Sequence, residues 1–139
     1  MTSRMWLVLA GVFAGGLFAG AAVTTAVQAQ APARVFELRT YTVPADRLEA
    51  LHARFRNHTL RIFQRHGMNN VVYFRPQDAE RASTTMVYLI SHASRQAADQ
   101  SWAAFRKDPE WQKVSAESGV GPVKVDSQFL EPTDYSPMK

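Results

Sequence analysis

The sequence predicts an α+β chain with the ferredoxin-like βαββαβ order. Three observations predict it. A first segment alternates with period two, two longer segments carry apolar stripes at helical spacing, and three further runs have strand length and strand composition. In chain order these read strand, helix, strand, strand, helix, strand. Two right-handed crossovers place both helices on one face of a four-stranded antiparallel sheet.

The N-terminal segment stands apart from that fold. Met1 to Arg4 carries one positive charge, Met5 to Val23 carries none, and small and polar residues come next, ending Val27-Gln28-Ala29. This is the three-part pattern of a secretory signal, with small residues at positions −3 and −1 of the cut. Cleavage is expected after Ala29, because a cut after Ala31 would leave Pro32 at the scissile bond. The competing reading is a membrane anchor over residues 5–23, a length just sufficient to span. Four glycines, at 11, 15, 16 and 20, dilute its hydrophobicity. The expected location is the periplasm or the exterior, with no membrane contact once the signal is removed.

A short linker, 30–34, leads into the domain, 35–131. Val35 to Val43 reads VFELRTYTV, and Pro44 ends it. Phe36 and Leu38 are expected to meet the helices, which turns Glu37, Arg39 and Tyr41 away from them. Asp46, with Glu49 three residues on, predicts a capped helix start. Leu48, Leu51, Phe55, Thr59 and Ile62 mark its buried stripe, Arg47, Arg54, Arg61 and Arg65 lie off it, and Gly67 stands at the C-terminal cap. Asn70 to Arg75 and Thr84 to Ser91 form a hairpin with a longer connection. Ser94 is placed to cap a second helix, with Ala98, Trp102 and Phe105 on one face. Asp108-Pro109 breaks that helix and starts another turn, since proline is tolerated at the first helical position. Val123 to Leu130 is the last strand, and 132–139 is a tail.

The third strand is apolar on both sides: Met86, Tyr88 and Ile90 on one, Val87 and Leu89 on the other. A bare apolar sheet face is something monomers avoid. A second copy packed face to face would cover it, giving a dimeric α/β-barrel with the polar residues of the first strand inside.

The residues that carry this reading also resemble a known family. Phe36-Glu37-Leu38-Arg39-Thr40-Tyr41-Thr42 is similar to the opening of NIPSNAP-domain proteins. Phe55-Arg56-Asn57-His58-Thr59-Leu60, ending in His66-Gly67, resembles the first helix of that family. The run from Ser101 to Trp111 resembles its W-x-x-F-x-x-D-P-E-W signature. The resemblance covers 35 to about 131 and implies a dimeric α/β-barrel. Relatives on that barrel include cofactor-free monooxygenases, small-molecule isomerases and haem enzymes, and fold alone does not choose among them.

Composition narrows the chemistry. With no cysteine among 139 residues, a disulfide scaffold, a thiolate metal site and a cysteine nucleophile are excluded. The formal net charge of +4 is spread along the chain without a polybasic run, so nucleic acid is not an expected partner. No phosphate loop, dinucleotide fingerprint or G-x-S-x-G is present. The histidines at 52, 58, 66 and 92 lack the i, i+4 spacing of a helical metal pair, so neither a metal nor a cofactor is expected.

Six residues remain as site candidates. Glu37, Arg39 and Tyr41 share one strand face: arginine suits an anionic or carbonyl oxygen, and tyrosine donates a hydrogen bond or stacks on a ring. Tyr73 and Tyr88 add aromatic surface. His58, near the buried stripe of the first helix, has the titration range of a general base. These candidates support three readings. One is a homodimer binding a small molecule at the sheet interior. Another is a cofactor-independent monooxygenase or isomerase, with His58 as acid/base on a small carbonyl or phenolic compound. The third is a non-catalytic interaction domain. The enzyme reading requires His58 and Arg39 to meet in one cavity.

Overall fold

In the computed structural model, which describes residues 34–139, the four strands form one antiparallel sheet in the order β2-β3-β1-β4. The expected export segment 1–29 and residues 30–33 of the linker lie outside the described residues. The strands are β1 (Val35–Thr42), β2 (Asn69–Phe74), β3 (Thr85–His92) and β4 (Lys124–Leu130). The ends agree with the sequence reading to within a residue, because Pro44 and the glycines bracket them. The order is that of the ferredoxin-like α+β fold.

The first helical region is one rod in three parts: α1 (Leu48–Arg54), a π-helical segment (Phe55–Thr59) and α2 (Leu60–Arg65). All five stripe residues, Leu48, Leu51, Phe55, Thr59 and Ile62, are buried. The Asp46 capping box does not form. A 3-10 turn, Ala45–Arg47, precedes the helix, and no side chain caps it. Pro44 sets the entry instead, its carbonyl accepting the Arg47 amide at 2.9 Å. At the far end Gly67 has φ +77, the left-handed geometry expected of it.

The second helical region is α3 (Arg95–Lys107) and then α4 (Pro109–Glu117). Ser94 caps α3, its Oγ accepting the Ala97 amide at 3.0 Å. Asp108 is the break and the new cap: Oδ1 accepts the amides of Glu110 at 2.8 Å and Trp111 at 3.1 Å. Its Oδ2 accepts from Arg65 Nη2 at 2.7 Å and lies 2.7 Å from His66 Nε2. One carboxylate thus starts α4 and ties it to the end of the rod.

The face assignment of β1 is the reverse of the expectation. Tyr41 belongs to the core between sheet and helices, with its ring 5.9 Å from Phe55 and 5.2 Å from Tyr88. Glu37, Arg39 and Tyr41 therefore face the helices, and Phe36, Leu38 and Thr40 face away. Register carries this across the sheet. Arg39 sits opposite Tyr88 on β3 and Ser127 on β4, and Tyr73 sits opposite Tyr88. Met86, Tyr88 and Ile90 lie under the helices, as buried as the stripe that covers them. The outer face carries Leu38, Val87 and Leu89, each half-buried. At one end of that face Phe36, Leu89 and Leu130 line an open groove together with Pro132 and Met138 of the tail.

Replacing Asp108 with alanine removes both the cap and the link to the rod. Asp108→Ala is expected to lower unfolding stability by ~1–2 kcal/mol, while Asp108→Asn, which keeps a capping oxygen, loses less. Urea midpoints of the two variants measure the difference.

Candidate functional site

Alternation brings Glu37, Arg39 and Tyr41 to one side of β1, and pairing adds Tyr88 and Tyr73 in a continuous row beneath the helices. At one end of that row is a buried polar cluster. The Glu37 carboxylate, 1% exposed, accepts four hydrogen bonds. Oε2 takes Trp102 Nε1 at 2.7 Å and lies 2.8 Å from His92 Nε2. Oε1 takes Arg39 Nη1 at 2.5 Å and Ser127 Oγ at 2.7 Å. Burial alone would raise the Glu37 pKa. The bonds from His92, Ser127, Trp102 and Arg39 outweigh it and lower the value to about 2.

Glu37 in turn fixes Arg39. The guanidinium carbon lies 4.2 Å from the Trp102 ring centre and 5.4 Å from that of Tyr41, with Nη2 3.4 Å from the Tyr41 hydroxyl. The cation is sandwiched between rings and clamped at one corner, while its buried Nε has no partner among the described residues. Arg39, Trp102 and Ser127 form one wall of an open groove of about 310 Å³, whose rim carries Arg95, Arg106 and Phe129. Arg95 lies over the Phe129 ring at 3.7 Å and pairs with Asp99. Such a wall can bind an acceptor oxygen through guanidinium and stack an aromatic ring beside it.

The tyrosines divide. Tyr41 borders Arg39. Tyr88 is fully enclosed, its hydroxyl has no hydrogen-bond partner among the described residues, and burial raises its pKa well above the usual phenol value. Tyr73 stacks on Tyr88 at 5.2 Å, but its hydroxyl is taken by Asn70 Oδ1 at 2.5 Å. It lines a separate groove with Phe55 and Met86.

His58 is elsewhere. It lies on the π-helical segment in a groove between the rod and α4, with Nδ1 3.6 Å from Glu110 Oε1. Arg39 is not part of that groove, so the two side chains do not meet in one cavity. The acid/base mechanism that pairs them has no geometric footing.

Four contributors to these sites carry little signal in the sequence. His92 and Ser127 sit at strand positions with no motif around them. Asp108 reads as a helix break only. Arg54, placed off the helical stripe, is 6% exposed. The one signal for it is its place directly before Phe55 in the buried stripe.

Among the described residues no group of three His, Asp or Glu side chains is placed to hold a metal ion. No helix among them is long and apolar enough to cross a membrane.

No curated protein matches this chain. Solved structures do match its fold. A NIPSNAP family protein from Agrobacterium tumefaciens is 18% identical, with a TM-score of 0.68 over 79% of this chain and 95% of its own. A second Agrobacterium tumefaciens NIPSNAP family protein, of unknown function, is 17% identical, with a TM-score of 0.67 over 79% and 97%. An uncharacterized NIPSNAP-like domain protein from Burkholderia xenovorans is 18% identical, with a TM-score of 0.65 over 75% and 89%. The NIPSNAP family model matches residues 36–137, nearly all of the described chain. The motifs on β1, the rod and α3–α4 thus fall within one family's pattern and one family's fold, and the chain belongs to the NIPSNAP family.

Proposed function

We propose that this chain is an exported, homodimeric small-molecule-binding domain. Its ligand lies in the groove on the helix side of the sheet, with Arg39 as the oxygen-binding anchor and Trp102 as the ring platform. The observation that carries the reading is the state of Arg39. It is largely buried and held by Glu37 and two rings, yet its Nε is unpaired while the residue lines an open groove. Native proteins seldom leave a buried donor unpaired, since each costs about 1–3 kcal/mol. A preorganised cation bordering an open groove suits a carbonyl or phenolic oxygen.

The dimer reading rests on the outer sheet face. Leu38, Val87 and Leu89 form an apolar band that the helices do not cover. Two such faces packed together would bury it. The export reading rests on the signal pattern that ends at Ala29.

Native mass spectrometry of protein recovered from the exported fraction is expected to give a dimer lacking residues 1–29. Leu89→Glu is expected to shift it to monomer. A wild-type monomer would refute the dimer reading, retention of residues 1–29 would refute cleavage, and absence of the protein from the exported fraction would refute export. For the ligand, 1-naphthol serves as a neutral probe with one ring system and one hydroxyl. It is expected to raise the melting temperature of the wild-type protein. Arg39→Met is expected to abolish the shift while remaining folded by circular dichroism. If Arg39→Met leaves the shift intact, Arg39 does not anchor the ligand.

The Glu37 carboxylate gives a pH signature. Its folded pKa is depressed from 4.5 to about 2. Its contribution is therefore complete above pH 4.5 and is lost as pH falls from there toward about 2. Glu37→Gln is expected to lower stability at pH 7 by roughly 1–3 kcal/mol, because an amide cannot accept all four donors. The variant is also expected to lose less stability than wild type between pH 4.5 and 2. Parallel pH curves for the two proteins would contradict this.

A further inference from the structure

The groove that holds His58 is built by two helices lying side by side. The rod contributes one face, at spacings of three, four, seven and eight from Ala50, and α4 contributes the same spacings from Glu110. Its volume is about 480 Å³. It shares no lining residue with the Arg39 groove.

Arg54 lines this groove and is 6% exposed. Its guanidinium carbon lies 5.0 Å from the Trp111 ring centre. Nη1 donates to Ser118 Oγ at 3.4 Å, a long bond, and Nε is buried without a partner. Arg54 takes part in none of the ion pairs formed among the described residues. Burial pulls its pKa below the ordinary guanidinium value. A buried cation normally has a carboxylate beside it, as Arg39 has Glu37. The carboxylates of the groove do not serve. Glu110 is occupied by Arg61 at 2.6 Å and Arg65 at 3.1 Å, and Glu117 is exposed and unpaired with Arg54.

We infer that this groove binds a small organic carboxylate, with Arg54 as its charge partner and its apolar body against Ala50, Ala53 and Val114. The planar guanidinium fork matches the two oxygens of a carboxylate. The alanines leave room where larger residues would fill the groove. The lining carries two cations, Arg54 and Lys113, against two carboxylates, Glu110 and Glu117, so it offers a single carboxylate one guanidinium without an ion pair rather than the net positive cluster that a doubly charged phosphate needs.

Calorimetric titration and thermal shift test the assignment on the purified chain at constant ionic strength. The probes are hexanoate and benzoate, their neutral analogues hexanamide and benzamide, and inorganic phosphate. The carboxylates are expected to bind and raise the melting temperature, and the amides and phosphate are not. Arg54→Met is expected to weaken carboxylate binding by at least about tenfold, the scale of one lost charge-assisted contact. Ala53→Leu keeps the arginine but fills the groove, and is expected to weaken binding as much. Arg81→Ala, which removes an exposed arginine outside both grooves, is expected to leave carboxylate binding unchanged. Equal binding of amides and acids, tighter binding of phosphate, or undiminished binding in Ala53→Leu would overturn the assignment. Ala53→Leu decides the matter alone if Arg54→Met does not fold.

Discussion

The carboxylate of Glu37 is the point on which the structure turns. Its four donors come from four different elements: Arg39 from β1, His92 from β3, Trp102 from α3 and Ser127 from β4. A carboxylate buried without partners is too costly to keep ionised. Here both oxygens are fully engaged, so the anion persists and holds three strands and a helix in one register. The same bonds orient Trp102 and Arg39, so the groove wall is a by-product of the way the sheet edge is locked. A site built on strands and a helix in this way is stiffer than one carried by loops.

Periodicity carries much of the fold but is silent about one matter. Alternation in β1 states which residues share a face. It does not state which face is covered. Polar residues usually lie outward, and that prior turns Glu37, Arg39 and Tyr41 toward solvent or a partner. The prior fails because the buried face is a satisfied polar cluster, and its donors come from residues 55, 65 and 90 positions away in the chain. No local pattern records such distant partners. Ser94, Gly67 and Asp108-Pro109 are legible for the opposite reason: caps and turns depend on residues three or four apart. The expected Asp46 box shows the limit of that rule, because a proline-initiated turn displaces it. Glu37, Arg39, Tyr41, Tyr73 and Tyr88 do share one face of the sheet, with Tyr73 brought opposite Tyr88 after a register shift between Asn70 and Val72 that alternation does not record. His58 lies near the helical stripe in the sequence pattern, but the rod turns it to a different neighbour.

Two arginines now stand in contrast. Each packs on a tryptophan, Arg39 on Trp102 at 4.2 Å and Arg54 on Trp111 at 5.0 Å. Each has a buried, unpartnered Nε. Arg39 has a carboxylate and Arg54 does not. Ring contact is worth about 0.5–2 kcal/mol to a cation, far less than the several kcal/mol of desolvating a charge. Stacking therefore explains where Arg54 points but not why a charge is kept there. A methionine would pack on Trp111 as well and would need no counter-ion.

The rod changes winding next to Arg54. It goes from α to π directly after that residue, with the Leu60 amide bonding to the Phe55 carbonyl. An extra residue in the turn rotates the C-terminal part of the rod relative to its N-terminal part. The stripe still closes on the core, with Leu51 before the segment and Ile62 after it fully buried. Thr59 donates its hydroxyl to the Arg54 carbonyl at 3.3 Å, within a segment where the regular helical ladder is interrupted. On a helix with one covered side an arginine beside the stripe would stay at the surface, but this rod is covered on a second side by α4. Arg54 follows Ala50 and Ala53 at regular α spacing on the side of the rod toward α4, where Trp111 and Ser118 cover it. The π turn begins at the next residue, so the rotation it introduces falls on the positions after Arg54, His58 among them, and both sides of it still close on the core and on the groove.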